Sequence, residues 1–166
     1  RKRVDILLRA CAVLPEILQP CLLIVGDGPA REEFEALAED IYPSAEFVGA
    51  KYEDEVASYF AAADLFALPG TGGLAVQQAM SYGLPVIVAQ GDGTQDDLVR
   101  PENGWQVLPN DQDAFYQALH QALSDVTRLR QMGAESYRIV REEINLETMA
   151  AEFIRALVTV SIGQLN

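Results

Sequence analysis

Three short loops hold the residues best suited to chemistry: Gly26-Asp27-Gly28-Pro29, Gly70-Thr71-Gly72-Gly73 and Gly91-Asp92-Gly93-Thr94. Glycine lets a backbone approach an oxyanion closely, and a helix starting just beyond it offers free N–H groups and the positive end of its dipole. Each loop follows an apolar run. Gly72-Gly73-Leu74 leads directly into a helical pattern, which makes it the best-placed phosphate cradle of the three. Tight turns alone account for any one of these loops, whereas three at one sheet edge argue for a ligand without naming it. Other chemistries find fewer residues. His120 is the only histidine, so no His/Cys metal cluster can be assembled. Cys11 and Cys21 sit in apolar runs and read as small buried hydrophobes in a reducing compartment. Gly26-x-Gly28-x-x-Arg31 lacks the third glycine of the dinucleotide fingerprint and a clear ribose-binding acid beyond the next strand, which disfavours a dehydrogenase.

The elements that must position these loops follow from periodicity. Val4, Leu7, Leu8, Cys11 and Leu14 recur at helical spacing and predict a first helix, stopped between Pro15 and Pro20. Cys21 to Val25 reads as a doubly buried strand. A helical stripe at Phe34, Leu37, Ala38 and Ile41 ends before Pro43, and Glu46-Phe47-Val48 is a short strand. Val56, Tyr59, Phe60 and Ala63 line a third helix, followed by a strand from Leu65 to Leu68. Leu74 to Tyr82 is helical and stops at Gly83. Strands at Pro85–Ala89 and Trp105–Leu108 follow. A helix around Phe115, Ala118, Leu119, Ala122 and Leu123 is capped by Asn110 or Asp111. Two further helices, about 125–142 and 146–160, pack on the outside; the last carries Ala150, Phe153, Ile154, Leu157 and Val158 on one face. Near-continuous apolar strands alternating with helices define an α/β protein: a Rossmann-like, doubly wound, mostly parallel sheet with helices on both faces.

The bulk numbers agree with one domain over residues 1–166, large enough to fold without disulfide or metal. Acids outnumber bases 25 to 12, for a net charge of −13, which argues against nucleic acid as a partner and reads as a soluble, solvated surface. No apolar run is long enough for a membrane span and no signal peptide opens the chain, so the expected location is the cytoplasm.

A family resemblance gives these loops a ligand. Gly26-Asp27-Gly28-Pro29-x-Arg31-x-x-Phe34, Phe47-Val48-Gly49, Ala63-Asp64-Leu65-Phe66-x-Leu68-Pro69, Gly73-Leu74, Gln78-Ala79-Met80-x-x-Gly83-x-Pro85-Val86 and Asn103-Gly104 occur in order from Lys2 to about Glu147. Together they resemble the C-terminal domain of family 4 retaining glycosyltransferases, enzymes of two-domain GT-B architecture. The resemblance implies a nucleoside-diphosphate sugar as substrate, no cofactor and no metal. Transfer then proceeds on one face of the sugar, with the leaving phosphate helping to deprotonate the acceptor. It implies that Gly72, Gly73 and Leu74 hold the diphosphate through backbone amides and that Lys2, with Arg1 or Arg3 beside it, neutralises the phosphates. Gly49, Ala50 and Lys51 lie near the nucleobase, and Gly93, Thr94 and Gln95 sit where the family approaches the phosphate and sugar.

The sequence departs from the family at informative points. Family members carry a glutamate near the transferred sugar and another on the ribose hydroxyls; alignment on Ala79-Met80 puts these at Gly70 and Gln78. A carboxylate accepts two hydroxyl hydrogen bonds with a gain of ~1 kcal/mol over a neutral acceptor, so glutamine at 78 weakens ribose binding without removing it. Gln95 likewise stands where many members have glutamate. The family's domain opens with a central strand just before the helix that begins here at Val4. Its absence predicts an excerpt, a sheet that closes around the gap, or a strand donated by another chain. The acceptor-binding N-terminal domain is also missing, and peripheral membrane association through that half is compatible with the reading. The expected function is hexose transfer in polysaccharide or glycoconjugate synthesis. The alternative is a degenerate homologue that serves as a binding or regulatory subunit.

Overall fold

The structure, a computed structural model, describes residues 1–52, 54–91, 93–145, 147–148, 150 and 153–155. Helices and strands alternate as far as α6, which a further helix follows: α1 (Val4–Ala12), β1 (Leu23–Val25), α2 (Arg31–Ile41), β2 (Glu46–Gly49), α3 (Asp54–Ala62), β3 (Phe66–Leu68), α4 (Leu74–Ser81), β4 (Val86–Ala89), α5 (Thr94–Leu98), β5 (Gly104–Val107), α6 (Gln112–Ser124) and α7 (Val126–Glu142), with a 3-10 turn at Glu16–Leu18. The expected order of elements is present, with α5 as an addition. Much of the expected helix at about 146–160 lies outside the described residues; within it, Phe153 and Ile154 are helical and exposed.

Every strand pairing is parallel. Burial along β4 shows why both faces are covered. Val86 and Val88 belong to a core with Val76, Ala79 and Met80 of α4 and Ile139 of α7. Ile87 and Ala89 point the other way, into a core with Leu8 and Cys11 of α1 and Phe115 and Leu119 of α6. Alternate residues of one strand therefore feed two cores, the signature of a doubly covered parallel sheet.

The sheet is not continuous. β1 pairs only with β2, and β3–β4–β5 form a separate three-stranded sheet. Among the described residues, each of β1 and β3 has one paired edge and one unpaired edge, so the sheet does not close around the gap left by the expected central strand. This corrects the reading of β1 as doubly buried. Ile24 packs into the core beside α1, but Leu23 and Val25 are each 37% exposed, with no element among the described residues burying them. Cys21, just upstream, is exposed, contrary to expectation. Cys11 is buried, and desolvation of its thiolate pushes the thiol up to about 12.

Two close approaches fix the second layer. Asn103 is fully buried with both ends of its amide used: Oδ1 accepts from the Arg100 N–H (2.6 Å), and Nδ2 donates to the Leu98 carbonyl (3.1 Å) and to Ser136 Oγ (3.3 Å). This closes the turn into β5 and ties it to α7. Asp111 caps α6, accepting from the Ala114 N–H at 2.8 Å. Gly133, in the middle of α7, crosses the end of α4 so closely that a Cβ there would lie against the Gly83 carbonyl oxygen, inside van der Waals contact, and 3.2 Å from Pro85 Cδ. Alanine in a helix interior ordinarily gains about 0.5–1 kcal/mol over glycine. Overpacking against rigid backbone costs about 1–3 kcal/mol and wins here. Gly133→Ala is therefore expected to lower unfolding free energy by ~1–2 kcal/mol in a denaturant titration.

Candidate functional site

Because the strands are parallel, the loops that follow β1, β2, β3 and β4 all leave from carboxyl ends, the edge where ligands bind in open α/β sheets. The loop between β3 and α4 is the centre of the predicted site. Gly73 is the N-cap of α4 and offers no side-chain cap, so among the described residues no cap side chain takes the first N–H groups of the helix. Leu74, 86% exposed, and Gln78, one turn further on, share an open face of α4.

The first residues of the chain lie along this loop. The Thr71 N–H donates to the Arg1 carbonyl at 3.2 Å, and Lys2 Nζ donates to the Thr71 carbonyl at 2.8 Å. A Cβ on Gly72 would stand 2.7 Å from Lys2 Nζ, so the ammonium lies directly over the cradle. Of the other two predicted bases, Arg3 is engaged elsewhere: its guanidinium grips Asp5 through Nε (2.9 Å) and Nη2 (2.8 Å). That pairing raises the arginine and holds the Asp5 carboxyl below its ordinary range. Gly70 is packed under the backbone of Arg1 and Lys2, and a Cβ there would run into the Arg1 carbonyl oxygen. A glutamate at this position would have no room unless the N-terminal segment moved.

Thr94 and Gln95 open α5, a helix the sequence did not reveal. Gln95 is 1% exposed, and its Nε2 donates to the Gly72 carbonyl at 3.1 Å. Gln106, on β5, donates from Nε2 to the carbonyls of Gln95 (3.1 Å) and Val99 (2.7 Å), anchoring both ends of α5. Nothing in the sequence singles Gln106 out, since its role depends on strand register alone.

The residues expected near a nucleobase gather on the smaller sheet. Gly49 ends β2 at φ +77°, a left-handed value that favours glycine, and its carbonyl accepts from the Gly26 N–H at 2.9 Å. Arg31 spans this corner. It pairs with Glu35 (2.7 Å), approaches Asp27 (3.7 Å) and donates to the Phe47 carbonyl at 3.2 Å. Pairing with Glu35 is the main cause that raises it. The i,i+4 spacing of Asp27, Arg31 and Glu35 was the available sequence signal for this tie. Ala50 is exposed, and Lys51 Nζ lies 3.3 Å from Glu55.

An open cleft of about 1000 Å³ flanks the cradle, lined among others by Leu74, Gln77, Leu98, Arg100, Ile144 and Phe153. A second groove, about 1150 Å³, follows the free edge of β5 beside α6 and touches none of the predicted site residues. Size alone does not make it the site, because it holds neither a glycine loop nor a free helix start.

Comparison with known proteins places this arrangement in a class. The fold is that of a GT-B glycosyltransferase domain: it superposes on sucrose-phosphate synthase from Thermosynechococcus elongatus with a TM-score of 0.81 and 27% identity, over 98% of this chain and 43% of that one. The chain belongs to the group 1 glycosyl transferases, matching that family over residues 1–125. It is 28% identical to the lipopolysaccharide core biosynthesis glycosyltransferase LpsE of Rhizobium meliloti, over 99% of this chain and 46% of LpsE. It is 30% identical to a GDP-mannose-dependent monoacylated alpha-(1-6)-phosphatidylinositol monomannoside mannosyltransferase of Corynebacterium glutamicum, over 95% of this chain and 44% of that enzyme. The chain thus spans a little under half the length of these curated relatives. Among the described residues no helix is long and apolar enough to cross a membrane.

The contact at Gly70 can be tested directly. Gly70→Ala is expected to displace Arg1 and Lys2, because a Cβ at this position would run into the Arg1 carbonyl oxygen. Amide exchange at Thr71, followed by NMR, should speed up while global stability changes by less than ~1 kcal/mol.

Proposed function

We propose that the protein containing this chain is a glycosyltransferase, and that this chain holds its nucleoside-diphosphate sugar. The diphosphate sits on the amides of Gly72, Gly73 and Leu74 with Lys2 over it, the base lies beside Gly49, Ala50 and Lys51, and Gln78 meets the ribose. One observation carries this reading: a glycine cradle, an uncapped helix start and the Lys2 ammonium converge at the carboxyl end of β3. Such an arrangement stabilises a departing diphosphate electrostatically, and its donors are already in place before reaction. The sugar passes with retention to an acceptor bound by a second domain, in polysaccharide or glycoconjugate synthesis. The names of LpsE and the mannosyltransferase support that setting. No metal or cofactor takes part in this scheme. We place the protein in the cytoplasm, with membrane association confined to the other domain.

A second reading has one observation in its favour. Gly70 is filled over by backbone and Gln78 carries an amide, so neither position of the expected glutamate pair is acidic. A homologue that binds donor but no longer transfers sugar would show this pattern.

Calorimetric titration with UDP and with GDP separates these possibilities. The full-length protein is expected to bind one of them, and Lys2→Gln to weaken that binding about tenfold, the equivalent of ~1.4 kcal/mol. Gln78→Glu should tighten it through the ribose. Failure of both nucleotides to bind the full-length protein would overturn the site. The isolated chain should transfer no sugar, and binding without transfer by the full-length protein would favour the second reading.

A further inference from the structure

Two amide side chains are buried in the β4–β5 half of the molecule, and they are used differently. Asn103 has partners for its oxygen and for its nitrogen, as expected of an amide that serves the fold. Gln95 is satisfied on one side only. Its Nε2 donates to the Gly72 carbonyl at 3.1 Å, while Oε1 is buried with no partner among the described residues. The amide is also pressed against the third glycine loop: a Cβ on Gly91 would stand 2.7 Å from Oε1 and 3.0 Å from Nε2. The side chain is therefore a strut between the loops that follow β3 and β4, and its one hydrogen bond is spent on the cradle.

We propose that Gln95 is a positioning residue of the donor site, acting through the Gly72 carbonyl rather than on the ligand, and that position 95 here requires a side-chain donor. This rests on the diphosphate reading of the cradle. Holding the Gly72 carbonyl inward turns the following N–H, that of Gly73, outward to the phosphates, since this carbonyl and this N–H lie on opposite sides of one planar peptide. An ionised glutamate in the same place could only accept, and would aim a carboxylate at a carbonyl oxygen. Glutamine in place of the glutamate common in the family is on this view matched to the orientation of the Gly72 peptide. The tight approach of Gly91 has the same logic, because any side chain there would displace the strut.

Three variants of the full-length protein test this. Gln95→Met keeps the volume and removes the donor. It should raise hydrogen exchange in the peptide covering residues 70–76 and weaken UDP or GDP binding roughly tenfold, leaving exchange in α6 unchanged. Gly91→Ala should reproduce both effects. Gln95→Glu should bind nearly as tightly as wild type at about pH 5 and lose affinity relative to wild type toward about pH 8, because only the protonated acid can donate to Gly72. Titration of the nucleotide's own terminal phosphate, at about pH 6, is common to both proteins. Among the described residues the charged groups around this position are Lys2, over Gly72, the exposed Asp96 and Asp97 on α5, and Arg100, which pairs with Glu143. Lys2 favours the ionised form and moves the loss to lower pH without abolishing it. Unchanged exchange at 70–76 and unchanged binding in Gln95→Met would overturn the proposal, as would a ratio of Gln95→Glu to wild-type affinity that does not change with pH. If wild type binds neither nucleotide, the donor-site reading fails, and the exchange measurement still decides whether Gln95 holds the loop.

Discussion

Parallel pairing of β4 with β3 on one side and β5 on the other is the constraint on which the rest of the structure depends. It forces each connection to cross over a face of the sheet, which is why a helix separates each strand from the next. It also forces the carboxyl ends of the strands to one edge, which brings the Gly70–Gly73 and Gly91–Gly93 loops close enough for Gln95 to reach across. The near-complete burial of Val86, Ile87, Val88 and Ala89 supplies the stability behind this arrangement, with each face of β4 closing a different core.

The cradle is organised by contacts of unequal strength. Behind the loop, the buried Gln95 and the partly buried Gln106 link α5, β5 and the Gly72 carbonyl through neutral hydrogen bonds. At the surface, Lys2 is held by a single bond to the Thr71 carbonyl, and its charge remains free to meet an anion. On the proposed reading, a hydrogen-bonded backbone behind a surface cation suits a diphosphate that must later leave. The protein is strongly acidic overall, so the local ammonium and the helix start have to outweigh a repulsive field, which favours contacts at short range.

Much of the fold was legible from periodicity. Four-residue runs such as Val86–Ala89 and stripes such as Phe115, Ala118, Leu119 and Ala122 have no competing interpretation once they alternate along the chain. α5 escaped because it is five residues long and exposes Asp96 and Asp97, so only Gln95 and Leu98 mark its buried side. The free side of β1 was equally hidden, since Leu22-Leu23-Ile24-Val25 is apolar whether or not a neighbour covers it. For the candidate site, the glycine loops could be named from residue type and order, and Lys2 from the family resemblance. The inward turn of Gln95 could not, because the direction of an amide is set by the loop it meets and not by its neighbours in sequence. Gly70 lies between these cases: its departure from the family is visible in the sequence, and the reason, occupied space under Arg1 and Lys2, is visible only in the fold.

The free edges of β1 and β3 bear on how copies of the molecule behave in solution. A strand with one unpaired row of N–H and C=O groups and exposed Leu23 and Val25 is a template for strand addition, and natural sheets defend such edges with charge. Here the defence is global, not local. A net charge of −13 keeps like molecules apart at low ionic strength. Screening removes that repulsion over about 8 Å in physiological salt. Colloidal stability of this segment then depends on buffer as much as on packing, and dilute, low-salt, mildly alkaline solutions are the conditions that suit it.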